Sequence, residues 1–187
     1  MKKHENEELI YDAEDAKKII ENLDKSSDPD ALKDASVTIT RGELMRKYPK
    51  IFRQKDLPMT ETCMCWGLEV DEGWLWLIDD LCAKLQFNTD VNGFPQVEAL
   101  QVKEKFGTLC FYHTTVDNGS ERNEKFLERN RGFIEGMIDT YESMSGKVCE
   151  ICGERGALCR RGGWYKTLCP KHATENEYKL CKKEYSE

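Results

Sequence analysis

The stretch Cys149-Glu150-Ile151-Cys152-Gly153, answered by Cys169-Pro170-Lys171-His172, decides how the C-terminal part of this chain folds. Two residues between thiols let one tight turn aim both sulfurs at a single ion. The glycine that follows lets backbone amides point back at the thiolates. The second pair repeats the spacing, and Pro170 suits the first turn of a helix from which His172 projects. Between the pairs, Ala157 to Arg161 and Trp164 to Leu168 read as the strands of a hairpin turned at Gly162-Gly163. Three thiolates and one imidazole give Zn2+ a closed tetrahedral shell, one ion per chain, with no position left for a substrate. The expected role is structural, because a module of roughly 25 residues cannot build a sufficient core of its own. The competing reading is two unrelated cysteine pairs. Cys159 lies inside the loop and could replace His172, although mid-strand it reads better as a free thiol. Cys63-x-Cys65, with Cys82, Cys110 and His113 elsewhere, leaves a second metal site open against the plainer account of small buried hydrophobes.

Working outward, the chain has 187 residues, 39% hydrophobic and 34% charged, enough apolar material for a modest core. The net charge of −7 does not draw the whole chain to nucleic acid or anionic membranes. The balance is uneven: residues 1–35 are acidic, whereas residues 145–187 are mildly basic. No apolar run is long enough to span a membrane, and the N-terminus has no signal-peptide core, so a cytoplasmic location is expected. An odd number of cysteines in a reducing compartment favours metal over disulfides.

The predicted organisation is α+β: a small β-hairpin or sheet packed with several helices, plus a C-terminal zinc ribbon-like module. Residues 1–35 form an acidic N-terminal helix and linker, 36–146 an α+β core domain, and 147–187 the zinc-binding module with a C-terminal helix. An amphipathic stripe at Leu9, Ala13, Ala16, Ile20 and Leu23 predicts a helix over 7–23, and 25–30 reads as a linker. Thr40-Arg41-Gly42-Glu43 is a capping box that opens a helix running to about Tyr48, before Pro49. Residues 50–70 read as irregular. Asp71 is the expected N-cap of a core helix over 72–86, followed by a turn from Asn88 to Gly93. Residues 96–104 alternate, with Glu98, Leu100, Val102 and Glu104 facing one way. Residues 108–116 are rich in β-formers, so a hairpin turns around Lys105-Phe106-Gly107 and ends at Asp117-Asn118-Gly119. A long helix over 120–144 carries a seam of Phe126, Asn130, Phe133, Met137, Tyr141 and Met144, widened by Ile134 and Ile138, and Gly146 is placed to end it. The tail, 173–187, is helix-compatible. The seams at 7–23 and 126–144 suit either internal packing or a homodimer.

Candidates for catalysis are few. There are three histidines: His4 near the terminus, His172 assigned to metal, and His113 on a strand amid aromatics. Asp79-Asp80 lie on the polar side of the core helix. No nucleotide-binding loop, nucleophile elbow or zinc-protease motif is present. Two stretches suggest binding instead. Lys103 and Lys105, beside Phe106 and Gly107, pair cations and a ring with a glycine turn that could hold a phosphate or a base. Arg160 and Arg161, with Arg155, Lys166, Lys171 and Trp164, make the zinc module a basic, aromatic surface candidate for nucleic acid. The plain alternatives are a solvated hairpin and a protein-contact surface.

Three stretches together resemble a family of small bacteriophage and prophage proteins. They are Gly73-Trp74 leading to Leu77-Ile78-Asp79-Asp80-Leu81-Cys82, then Gln101-Val102-Lys103-Glu104-Lys105-Phe106-Gly107-Thr108-Leu109-Cys110-Phe111-Tyr112, and the C-x-x-C…C-x-x-H module with Gly163-Trp164. The resemblance covers roughly residues 60–173. It implies a phage-borne protein in a bacterial cytoplasm and carries no reaction with it. Relatives tend to have arginine where this chain has Cys110. The leading expectation is a non-enzymatic accessory protein that binds a host protein, as in counter-defence, or a nucleotide. The alternative is a nucleic-acid-binding regulator using the basic zinc module, and a third is an enzyme built on His113 and nearby carboxylates.

Overall fold

The computed structural model describes residues 39–116 and 124–181. The helix over 7–23, the linker at 25–30, the turn at 117–119 and the last six residues lie outside them. All described residues belong to one compact unit that begins at Ile39. Among them no helix is long and apolar enough to cross a membrane.

The chain order is α1 (Arg41–Lys47), β1 (Leu68–Glu69), α2 (Leu75–Asn92), β2 (Gln96–Lys105), β3 (Thr108–Val116), α3 (Glu124–Ser145), β4 (Ala157–Arg161), β5 (Trp164–Leu168), α4 (Pro170–Glu175) and β6 (Lys179–Leu180). The fold is α+β, with two three-stranded sheets in the orders β1-β2-β3 and β5-β4-β6. In the first sheet β1 runs parallel to β2, and β2 pairs antiparallel with β3. Helix α2 packs on β2, α3 packs on β3, and the two helices touch each other. The core lies between these layers, built from Trp74, Leu77, Ile78, Leu81 and Leu85, from Val97, Ala99, Val102, Leu109 and Phe111, and from Ile134, Ile138 and Tyr141.

Several elements follow the sequence closely. Thr40 and Glu43 form the full reciprocal capping box of α1, which closes at Tyr48. The β2–β3 turn consists of Phe106 and Gly107, both left-handed at φ 54° and 84°. That geometry matches the twist of a two-residue hairpin, at a strain cost for Phe106 that Gly107 does not share.

Other elements depart from expectation. Residues 50–70 are not wholly irregular, because Leu68–Glu69 adds an edge strand beside Val102 and Lys103. The core helix extends through the expected turn to Asn92. Thr89 is buried there, its hydroxyl donating to the Leu85 and Pro95 carbonyls, and Gly93 ends the helix in the left-handed region. Asp71 caps no helix with its side chain. Strand β2 does not alternate cleanly, since a bulge at Leu100 shifts the register between Ala99 and Gln101. Val97 and Ala99 are thus buried before the bulge and Val102 after it. Glu98 is also buried, held by Arg53 through paired bonds of 2.6 and 2.8 Å.

The seam of α3 is rotated from the predicted one. Asn130, Ile134, Ile138, Tyr141 and Ser145 are buried, whereas Phe133 and Met144 are exposed. Phe133 instead meets the Phe94 ring at the margin of the layer, 6.3 Å between centroids. As far as Cys181 the tail does not continue as a helix. Asn176 turns its side chain back to the His172 carbonyl, Glu177 takes φ 58°, and the chain returns as β6 against β4.

Candidate metal centre

The C-terminal hairpin pairs Ala157 with Leu168 through Arg161 with Trp164, leaving Gly162-Gly163 as its turn. Pro170 occupies the start of α4 directly after Cys169. These two elements and the Cys149–Gly153 knuckle converge, so that donor atoms of Cys149, Cys152, Cys169 and His172 all lie within 4.8 Å of one another. His172 presents Nδ1, 3.4 Å from the Cys149 sulfur and 3.3 Å from that of Cys169, while Cys152 and Cys169 are 3.8 Å apart. The other ring nitrogen faces Glu175 at 3.9 Å. Among the described residues this is the group of four able to hold a metal ion. Cys63, Cys65, Cys82 and Cys110 form no such cluster.

The local electrostatics suit a cation. Backbone amides of His172 and Lys171, with burial working against them, hold the Cys169 thiol below its ordinary value. Burial pushes Cys152 up to about 11, against the amide of Glu154. A bound cation reverses that second balance by stabilising the thiolate directly. Cys159 takes no part in the cluster. It is buried behind the donors with Leu168, and its thiol donates to the Ala157 carbonyl.

The module is anchored to the helical layer by contacts the sequence did not announce. Gly73, at the entrance to α2, approaches the knuckle so closely that a Cβ would lie 2.3 Å from the Cys149 carbonyl and the Gly153 nitrogen. Its amide donates to the Glu150 carbonyl at 2.8 Å, and the Trp74 indole donates to the Val148 carbonyl at 2.8 Å. Lys166 bonds both Asp71 and Glu150, at 2.9 and 3.0 Å. Burial pulls this ammonium down, yet the two carboxylates outweigh it and hold its pKa above the ordinary lysine value. Burial pushes the Glu150 carboxyl up, and Lys166 only partly offsets it. Lys166 is therefore a junction residue rather than part of a free basic surface. A glycine directly before a tryptophan at the helix entrance is a sequence signal that could have pointed to this contact.

The two predicted binding stretches prove to be neighbours. The β2–β3 turn sits on the C-terminal hairpin: Thr167 donates its hydroxyl to the Gly107 carbonyl at 2.6 Å, and a Cβ on Gly107 would meet Leu158 at 2.4 Å. The Gly107 amide is taken by the Glu104 carboxylate at 2.6 Å. Lys103 stacks on Tyr112 and Lys105 on Phe106, whose ring is 71% exposed. Arg161 lies on the Tyr178 ring and bonds the Asn176 carbonyl. Arg160 and Lys179 are exposed cross-strand partners.

His113 packs near Phe111 and faces Glu135 at 3.4 Å. Asp79 is engaged by Lys47 and Tyr48, and Asp80 by Lys84 and Tyr141. These carboxylates tie elements together and do not converge with His113. Comparison of the chain with protein-family models, with curated proteins and with solved structures finds no match.

Proposed function

We propose that this chain is a non-enzymatic binding protein of the phage-accessory type, whose C-terminal hairpin is stabilised by one structural zinc ion. The observation that carries the reading is the closed donor set, with the β2–β3 turn seated on the hairpin it would organise. A tetrahedral ion bound at about 2.3 Å to sulfur and about 2.0 Å to nitrogen puts neighbouring ligand atoms roughly 3.5–3.8 Å apart. The separations of 3.3, 3.4 and 3.8 Å fit that shell. Cys149, Cys152, Cys169 and His172 would hold the ion, and zinc would supply crosslinking without chemistry, since all four positions are taken by protein.

The binding surface on this reading is composite, formed by Lys105 and Phe106 on the turn and by the outer face of the hairpin. The resemblance to phage proteins supports a host–virus setting, with a host protein or a nucleotide ligand as target. Purified protein should contain one zinc per chain by elemental analysis. Cys152→Ser should lose the metal and most of the stability of residues 147–181. Full metal content and full stability in that variant would sink the zinc assignment.

A further inference from the structure

Resting on that reading of the hairpin as a binding surface, we infer that its outer face is a site for single-stranded nucleic acid, gripped by Arg160 and Lys179 and stacked on neighbouring aromatic rings. Strand pairing fixes the arrangement. Arg160 on β4 lies opposite Tyr165 on β5 and opposite Lys179 on β6, so the order across the sheet is Tyr165, Arg160, Lys179. Directly opposed residues on paired strands bring their Cβ atoms to about 5 Å, where two like charges repel and destabilise the sheet. Here two cations are opposed, and neither has a carboxylate partner among the described residues. An anion between them converts that repulsion into attraction.

The same residues line an open groove of about 710 Å³, with Arg160, Arg161 and Lys179 against the single carboxylate of Glu177. Arg161 is already held by Asn176 and Tyr178, which leaves Arg160 and Lys179 as the available cations. Strand alternation puts Leu158 on the same face as Arg160, and Leu158 touches the Gly107 turn. The cationic row therefore continues toward Lys105 and Phe106. Tyr165 is the ring beside Arg160 on this face, and Phe106, beyond Leu158, is 71% exposed, whereas Trp164 pairs with Arg161 on the opposite face. Rings beside a cationic groove suit unpaired bases, whose faces are free to stack, and a duplex hides those faces.

The test uses the zinc-loaded full chain and labelled single-stranded DNA and RNA of about 12 nucleotides, read by fluorescence anisotropy. Affinity should fall steeply between about 50 and about 200 mM salt. Arg160→Ala combined with Lys179→Ala should weaken binding about tenfold or more and reduce the logarithmic salt slope by about 1.4. Tyr165→Ala should weaken it at least about fivefold. Lys50→Ala, paired with Asp90 on the helical layer, should change little. Unaltered zinc content and melting in all variants confirm that the fold is intact. The proposal is overturned if the metal-loaded protein does not bind the oligomers, if the double variant binds as well as the parent, or if a mononucleotide or duplex binds as tightly. Those outcomes leave the zinc-stabilised binding protein standing, whereas absence of zinc from the purified chain overturns both readings.

Discussion

At the scale of single residues, two positions with no catalytic character matter most. Gly73 has no room for even one methyl group, because the atoms it would meet are backbone atoms of the knuckle and cannot swing aside. Gly73→Ala should cost about 2–4 kcal/mol in urea unfolding and lower the zinc content of purified protein. A variant with parental stability would show that the knuckle does not sit on α2 as described. Glu98 is the second. Its hydrogen bonds from Arg53 outweigh burial and hold its carboxyl below the ordinary glutamate value. A carboxyl whose folded pKa is lowered stabilises the fold above its unfolded pKa of about 4.3, and that contribution disappears as pH falls through the folded value. Melting temperature should therefore drop on acidification below about pH 4.3, and Glu98→Gln should flatten that limb while lowering stability near neutrality. Parent and variant curves that run parallel through the acid range would contradict this.

At the scale of elements, the β2–β3 turn tests how the two sheets are joined. Gly107→Ala meets two penalties, a left-handed backbone and a collision with Leu158. The loss should be about 1–3 kcal/mol, and Leu158→Ala in the same chain should recover only the steric part. Additive effects in that double-mutant cycle would mean that the turn does not touch the hairpin. The elements also show what was legible beforehand. The capping box at Thr40, the Phe106-Gly107 turn and the four donors rest on short-range chemistry, so spacing alone revealed them. The bulge at Leu100, the rotated stripe on α3 and the return of residues 179–180 as a strand did not show. Each is decided by a partner distant in sequence: the neighbouring strands, the α2–β3 surface and β4. Asp71 reads locally as a helix cap, and only the arrival of Lys166 redirects it.

At the scale of the whole molecule, three clasps hold the C-terminal module, and zinc would be the one within it, joining the knuckle to the end of the hairpin. The others are the Lys166 bridge and the packing of Gly73 and Trp74 on the knuckle. Structural zinc contributes on the order of 10 kcal/mol to small modules of this kind, so chelation should unfold residues 147–181 first. Hydrogen exchange should then show lost protection at β4 and β5 and at the Gly73 amide, while Val97 to Val102 stay protected. Uniform loss across the chain would indicate one cooperative unit instead. The Trp74 contact has a further consequence during synthesis. The indole finds its acceptor 74 residues later, at Val148. A ribosome that has released the β2–β3 hairpin has not yet supplied that carbonyl. The nascent α2 therefore emerges with an aromatic side chain destined for burial whose N–H is left to water until the knuckle arrives. Products of premature termination before residue 148 would carry that defect permanently, which makes them preferred clients for chaperones and proteases.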